Sequence, residues 1–244
     1  MKINSTYLKL TIGAIYLAIL FAVLYFLFSK IDMRDLTNYE FIRANKDLIL
    51  HYKNSNFFLL TISFFIFSII WYLLLGFAGP ILLFAGFVYG KWYGVLIAVF
   101  AATIGTTFLY ILAKLFFSDF IKEKLEPKFS KLKLAFEKNE FFYFTLYRFA
   151  GGGGIPYGIQ NVLPVLFNIS TKNYFLGTLI GSWPTMFITV ALGAGIEKYI
   201  DKNENLNFLK IISSPDIYLP VLGFVLMMFI GLIIKKFFFK TDND

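Results

Sequence analysis

Residues 141–171 read FFYFTLYRFAGGGGIPYGIQNVLPVLFNIST, and the reading of this stretch decides how the chain folds. It is long and apolar enough for a bilayer. Yet it carries Arg148, four successive glycines (Gly151, Gly152, Gly153 and Gly154) and two prolines, Pro156 and Pro164. In a helix interior each Gly costs about 1 kcal/mol and each Pro about 3 kcal/mol, so a continuous helix is not expected. Broken backbone at membrane depth survives only where protein or a water-filled cavity surrounds it. The stretch therefore reads as a re-entrant hairpin: a half-helix ending near Arg148, a glycine turn, and a second half-helix from about Pro156. An arginine at that depth is costly enough to mark a functional site. The blander reading is a snorkelling Arg on an ordinary helix end, with glycines that serve packing alone.

The composition fits that reading. The chain is 58% hydrophobic and only 16% charged, which makes it an all-α polytopic membrane protein rather than a soluble domain. It has no cysteine and one histidine, His51, in a polar segment beside Asp47 and Lys53. Disulfides, thiolate metal sites and cysteine nucleophiles are excluded, and neither a metal nor a cofactor is expected. The net charge of +8 reads as topology signal and contact with anionic lipid. No aromatic-and-basic motif suggests a nucleic-acid partner.

Working outward, five spans are expected, near 7–28, 57–77, 92–116, 172–196 and 217–234. Between 57 and 113 the only charge is Lys91, and two helices leave about fifteen residues over. That excess falls at Gly79-Pro80, predicting a second re-entrant element over 79–90. Gly86, Gly90, Gly94, Ala98 and Ala102 recur every fourth position, a pattern that lets helices approach closely in lipid. Gly177 and Gly181 repeat that spacing before Trp183-Pro184, where a kink is expected. The polar segment 30–55 reads as an interfacial helix. Segment 118–140, with Ile121, Leu125, Phe129, Leu132 and Phe136 among many lysines, reads as a basic amphipathic helix. Three regions follow: 1–56, a first span and interfacial segment; 57–197, the membrane core; 198–244, a linker and last span. The lysine distribution favours an outside N-terminus and an inside C-terminus.

One span separates the two hairpins, so they enter from opposite faces, as in an inverted repeat with its substrate site between broken helices. Tyr110-x-x-x-Lys114 and Phe144-x-x-x-Arg148 each set an aromatic ring one helical turn before a cation, able to shield its stem.

The sequence resembles the DedA family, also called SNARE-associated or VTT-domain membrane proteins. The matching pieces are Ala85-Gly86-Phe87-Val88-Tyr89-Gly90 with Gly94, Gly105-x4-Tyr110-x3-Lys114, Phe144-x3-Arg148, Pro156 to Asn161, and Gly181-x-x-Pro184. The resemblance implies opposed re-entrant loops, a bacterial cytoplasmic membrane location, and movement of phospholipid or recycling of a carrier such as undecaprenyl phosphate. Two departures stand out. Places that often hold acidic residues in the family hold apolar residues and Thr106 here, and Pro156 follows Arg148 by eight residues.

The expected function is a flippase- or scramblase-like lipid transporter. Arg148 would hold a phosphate with help from the amides of Gly151 to Gly154. Pro156, Tyr157, Gln160, Asn161, Tyr110 and Lys114 complete the candidate substrate set. Anionic phosphate head groups of membrane lipids are the expected partners. The alternative is a small-ion or metabolite transporter using the same pocket. An enzyme is not expected, because the apolar interior offers no Asp, Glu, His or Cys for acid–base or nucleophilic work. The lipid, the driving force and any homo-oligomer stay open at this point.

Overall fold

The computed structural model describes residues 51–74, 77–121, 139–201 and 212–238, with single positions between 11 and 48 and at 123, 124, 136 and 209. Within these, every regular element is helical: α1 (Phe57–Leu73), α2 (Ala78–Phe116), α3 (Glu140–Phe149), α4 (Tyr157–Val162), α5 (Thr171–Gly181), α6 (Trp183–Asp201) and α7 (Pro215–Phe238). Two 3-10 turns, Gly151–Gly154 and Leu163–Phe167, flank α4. The expected interfacial helix (30–55) and basic helix (118–140) fall largely outside the described residues. So does the first span, although its described positions from Thr11 to Ser29 are helical.

α2 is not straight. Gly90 sits at φ 74°, ψ 177°, a region only glycine occupies readily, and the chain folds back there. A Cβ on Gly94 would stand 2.7 Å from the Ala85 carbonyl oxygen. Along a continuous helix those residues would be about 13 Å apart. α2 is thus a short arm (78–89) and a long arm (91–116). Gly90 is the hinge rather than a member of the small-residue packing stripe. The others do pack: Gly86 lies against the Val190 and Ala194 backbone, Gly94 against Ala85 and Val190, and Ala98 and Ala102 are fully buried. The expected break at Gly79-Pro80 lies slightly earlier: α1 ends at Leu73 and not at 77, and α2 has already begun at Ala78. Pro80 stands in the first turn of α2, where a missing N–H forfeits no helical hydrogen bond.

Helix directions follow from the contacts. Phe57 and Phe64 lie 5.8 and 5.6 Å from the Tyr89 ring, while a Cβ on Gly105 would stand 2.6 Å from the Ile69 carbonyl oxygen. α1 therefore runs parallel to the long arm of α2. Glu140 bonds to Ser170, and Gly181 sits beneath Thr145 and Arg148, so α3 runs parallel to α5. The long arm runs antiparallel to α5 and α6: Lys114 reaches Ile169, Tyr110 stacks on Tyr174, and Gly94 meets Val190. Hence α1 and α3 point in opposite directions. Each ends in a break, each break is followed by a short helical arm, and each arm ends in a positive-φ turn, at Gly90 and at Asn168. The two breaks meet where the Tyr72 and Tyr157 rings lie 5.8 Å apart.

There are two apolar cores, one per hairpin. The first joins Ile81, Ala85, Val88 and Val95 to Phe187 and Val190; the second joins Tyr110, Phe144, Leu163, Leu166 and Tyr174. Outer helix faces are apolar as well: Phe58 is 77% exposed, and Leu59, Phe67, Tyr93, Phe108 and Leu222 are also exposed. An apolar exterior on this scale needs an apolar surround. α2 is long and apolar enough to cross a bilayer by itself. α5 with α6 qualifies as a bent pair, at 45° across Ser182, the kink expected at Trp183-Pro184. By length and composition the described residues thus hold one or two such helices, against about five spans expected for the chain.

Candidate functional site

The site is built around the last turn of α3. Asn139 caps that helix by accepting from the Phe142 N–H at 3.0 Å. Phe144 and Arg148, one turn apart, face inward and are both buried. Then the four glycines turn the chain with φ of 66°, 70°, 64° and 80°. This is a left-handed turn, which costs an L-residue roughly 1–2 kcal/mol per position and glycine nothing comparable, and it is why four glycines stand together. Gln160 braces it from below, donating through Nε2 to the Gly151 carbonyl at 3.0 Å and to the Ile155 carbonyl. Its side chain lies so close over Gly152 that a Cβ there would overlap it. Gly153 and Gly154 instead face open space.

Arg148 is 4% exposed. Its guanidinium donates to Asn161 Oδ1 at 2.8 Å and to the Tyr174 hydroxyl at 2.7 Å; Tyr174 in turn donates to the Asn161 carbonyl at 3.1 Å. The Phe144 and Tyr174 rings lie 5.2 and 5.4 Å from its central carbon. Nε has no partner among the described residues. Both partners of the cation are neutral.

Of the residues expected to bind substrate, Arg148, Asn161 and the glycine turn are brought together, with Tyr157 close by, against Tyr72. Pro156 is exposed and caps α4. Gln160 has its amide donors committed to the turn. Tyr110 and Lys114 lie one ring away, on the far side of Tyr174: both donate to the Ile169 carbonyl, Lys114 at 3.1 Å and 5.7 Å above the Tyr110 ring. The expected shielding of each cation by the ring before it is present in both motifs.

Residues the sequence did not single out complete the frame. Tyr174 stacks on Tyr110 with centroids 4.3 Å apart and carries Arg148 on its hydroxyl. Glu140 accepts from the Ser170 N–H at 3.2 Å, the Ser170 hydroxyl at 2.9 Å and Asn173 Nδ2, fastening α3 to the start of α5. Ser170 also caps α5, and a Ser three residues ahead of Asn173 at a helix start was the available signal. Buried polar side chains gather at the same level: Thr106 and Thr178, one turn from Tyr110 and Tyr174, do not bond back to their own helices. Thr61 and the buried Ser68 of α1 do.

Residues 78–195 match the family model of the VTT domain. Protein YqeD of Bacillus subtilis (strain 168), itself uncharacterised, is 29% identical over 111 residues, which cover 45% of this chain. The match spans about half (52%) of that relative's length. No solved structure matches the chain.

Proposed function

We propose that this chain, a VTT-domain protein of the DedA family through residues 78–195, moves a phosphate-bearing lipid such as a phospholipid or undecaprenyl phosphate across the bilayer. The observation that carries the reading is the buried Arg148, which has no acidic partner among the described residues. Taking such a cation out of water costs several kcal/mol, and hydrogen bonds to an amide and a phenol leave its charge unmatched. A phosphate supplies that charge and meets the guanidinium fork bidentately. Among the described residues Asn161 and Tyr174 use two of the five guanidinium N–H groups, which leaves three to offer a ligand. Asn161 and Thr178 add buried polar groups.

The antiparallel hairpins support the same reading. α1 with the short arm of α2, and α3 with α4, are two re-entrant hairpins entering from opposite faces, their tips meeting at Tyr72 and Tyr157. At about 1.5 Å per residue the 17 residues of α1 fall short of a hydrocarbon core of about 30 Å. α1 is then an entry arm in place of a second span, and the crossings among the described helices are the long arm of α2, the bent α5–α6 pair and α7. The membrane is the bacterial cytoplasmic one.

The test is reconstitution. Vesicles carrying the protein and a fluorescent phosphatidic acid should lose far more than the outer-leaflet signal to an impermeant reductant. Flux of inorganic phosphate without lipid movement would favour the small-ion alternative.

A further inference from the structure

Resting on the reading of Arg148 as a head-group site, we propose that the apolar groove between α3 and α7 holds one hydrocarbon chain of the transported lipid. The groove encloses about 400 Å³ and is lined by Phe141, Thr145 and Phe149 of α3, Trp183 of α6, and Phe224 and Met227 of α7, among others. That volume lies in the range of ligand pockets, about 300–1,000 Å³.

The lining selects the occupant. The one hydroxyl, on Thr145, is committed to the Phe141 carbonyl at 2.8 Å. Apart from the Trp183 indole the remaining surface is hydrocarbon and thioether, and methionine adapts to irregular apolar shapes. No head group is accommodated on such a wall.

The position of the groove ties it to the polar site. It runs along the outward face of α3, while Arg148 lies on the inward face of the same helix, one residue before Phe149. At its inner end Phe149 leads into the glycine turn, where a Cβ on Gly151 would stand 3.2 Å from Thr185, two residues beyond Trp183. An occupant that uses both surfaces has an anionic head at the end of α3 and a single chain laid along its flank. It is an amphiphile, and neither a free phosphate nor a peptide has that shape.

Trp183 reports on the groove directly. The protein has three tryptophans, so Trp71→Phe with Trp92→Phe leaves Trp183 as sole fluorophore. In phosphatidylcholine vesicles, a minor fraction of phosphatidic acid with brominated chains should quench Trp183 several-fold more than the same fraction of brominated phosphatidylcholine. Arg148→Gln, if it remains monodisperse, should erase that preference. Equal quenching by the two lipids, or a preference that survives Arg148→Gln, overturns the proposal. Preferential quenching without lipid movement would keep the groove and sink the transport reading, and movement without preference would do the reverse.

Discussion

The Tyr174 hydroxyl is the most informative single group to remove. It accepts from Arg148 at 2.7 Å and donates to the Asn161 carbonyl at 3.1 Å. Tyr174→Phe keeps the ring stacked between Tyr110 and Phe144, at 4.3 and 4.9 Å, so packing is preserved and only hydrogen bonds are lost. A bond to a charged group contributes about 1.5–3 kcal/mol and a neutral one about 0.5–1.5 kcal/mol, so the variant should lose roughly 2–4.5 kcal/mol. With Arg148→Met the charged bond is already gone, and Tyr174→Phe should then cost only about 1 kcal/mol. The expected coupling is about 1.5–3 kcal/mol, measured by a double-mutant cycle on reversible unfolding in mixed micelles. A coupling below about 0.5 kcal/mol, the limit of ordinary additivity, would show that Tyr174 does not hold Arg148 in place.

Further outcomes follow from the same geometry. Gly152→Ala should destabilise clearly more than Gly153→Ala in the same unfolding experiment: both pay about 1–2 kcal/mol for a left-handed φ, but only Gly152 lies under Gln160. Glu140→Gln should loosen the start of α5, where its carboxylate takes three hydrogen bonds, and raise amide exchange at 170–174 over wild type; unchanged exchange would remove its role as a fastener. Ser55→Cys and Asn139→Cys, exposed positions just before the entry arms α1 and α3, should react with an impermeant maleimide from opposite faces, with no background in a chain that lacks cysteine. Labelling of both from one face would contradict the opposed hairpins.

Much of the fold was legible because its decisive signals are local. Four glycines beside Arg148 and Pro156 admit no continuous helix, and the left-handed turn uses every one of them. Trp183-Pro184 announced the 45° bend. Gly79-Pro80 misled by a few residues, since proline is as much at home in a helix's first turn as in a break. Gly90 looked like a packing glycine because its spacing matched Gly86 and Gly94, and spacing does not distinguish a hinge from a contact. The site was legible only in part. Arg148 meets partners 13 and 26 residues away, pairings set by how α4 and α5 pack rather than by any pattern along the chain. The tie from Tyr110 and Lys114 to the Ile169 carbonyl is longer still in sequence, at 59 and 55 residues. It connects to a backbone atom that no side-chain motif records.

In the proposed function Arg148 is the group that holds the lipid phosphate. Its most direct test compares lipid translocation by wild type, Arg148→Lys and Arg148→Ala in the same vesicles, at equal abundance and monodispersity. Lysine keeps the charge but not the bidentate fork, so it should retain part of the activity. Alanine should abolish it while the protein stays folded, because removing a buried cation relieves a desolvation cost. Wild-type translocation by a well-folded Arg148→Ala protein would contradict the central claim.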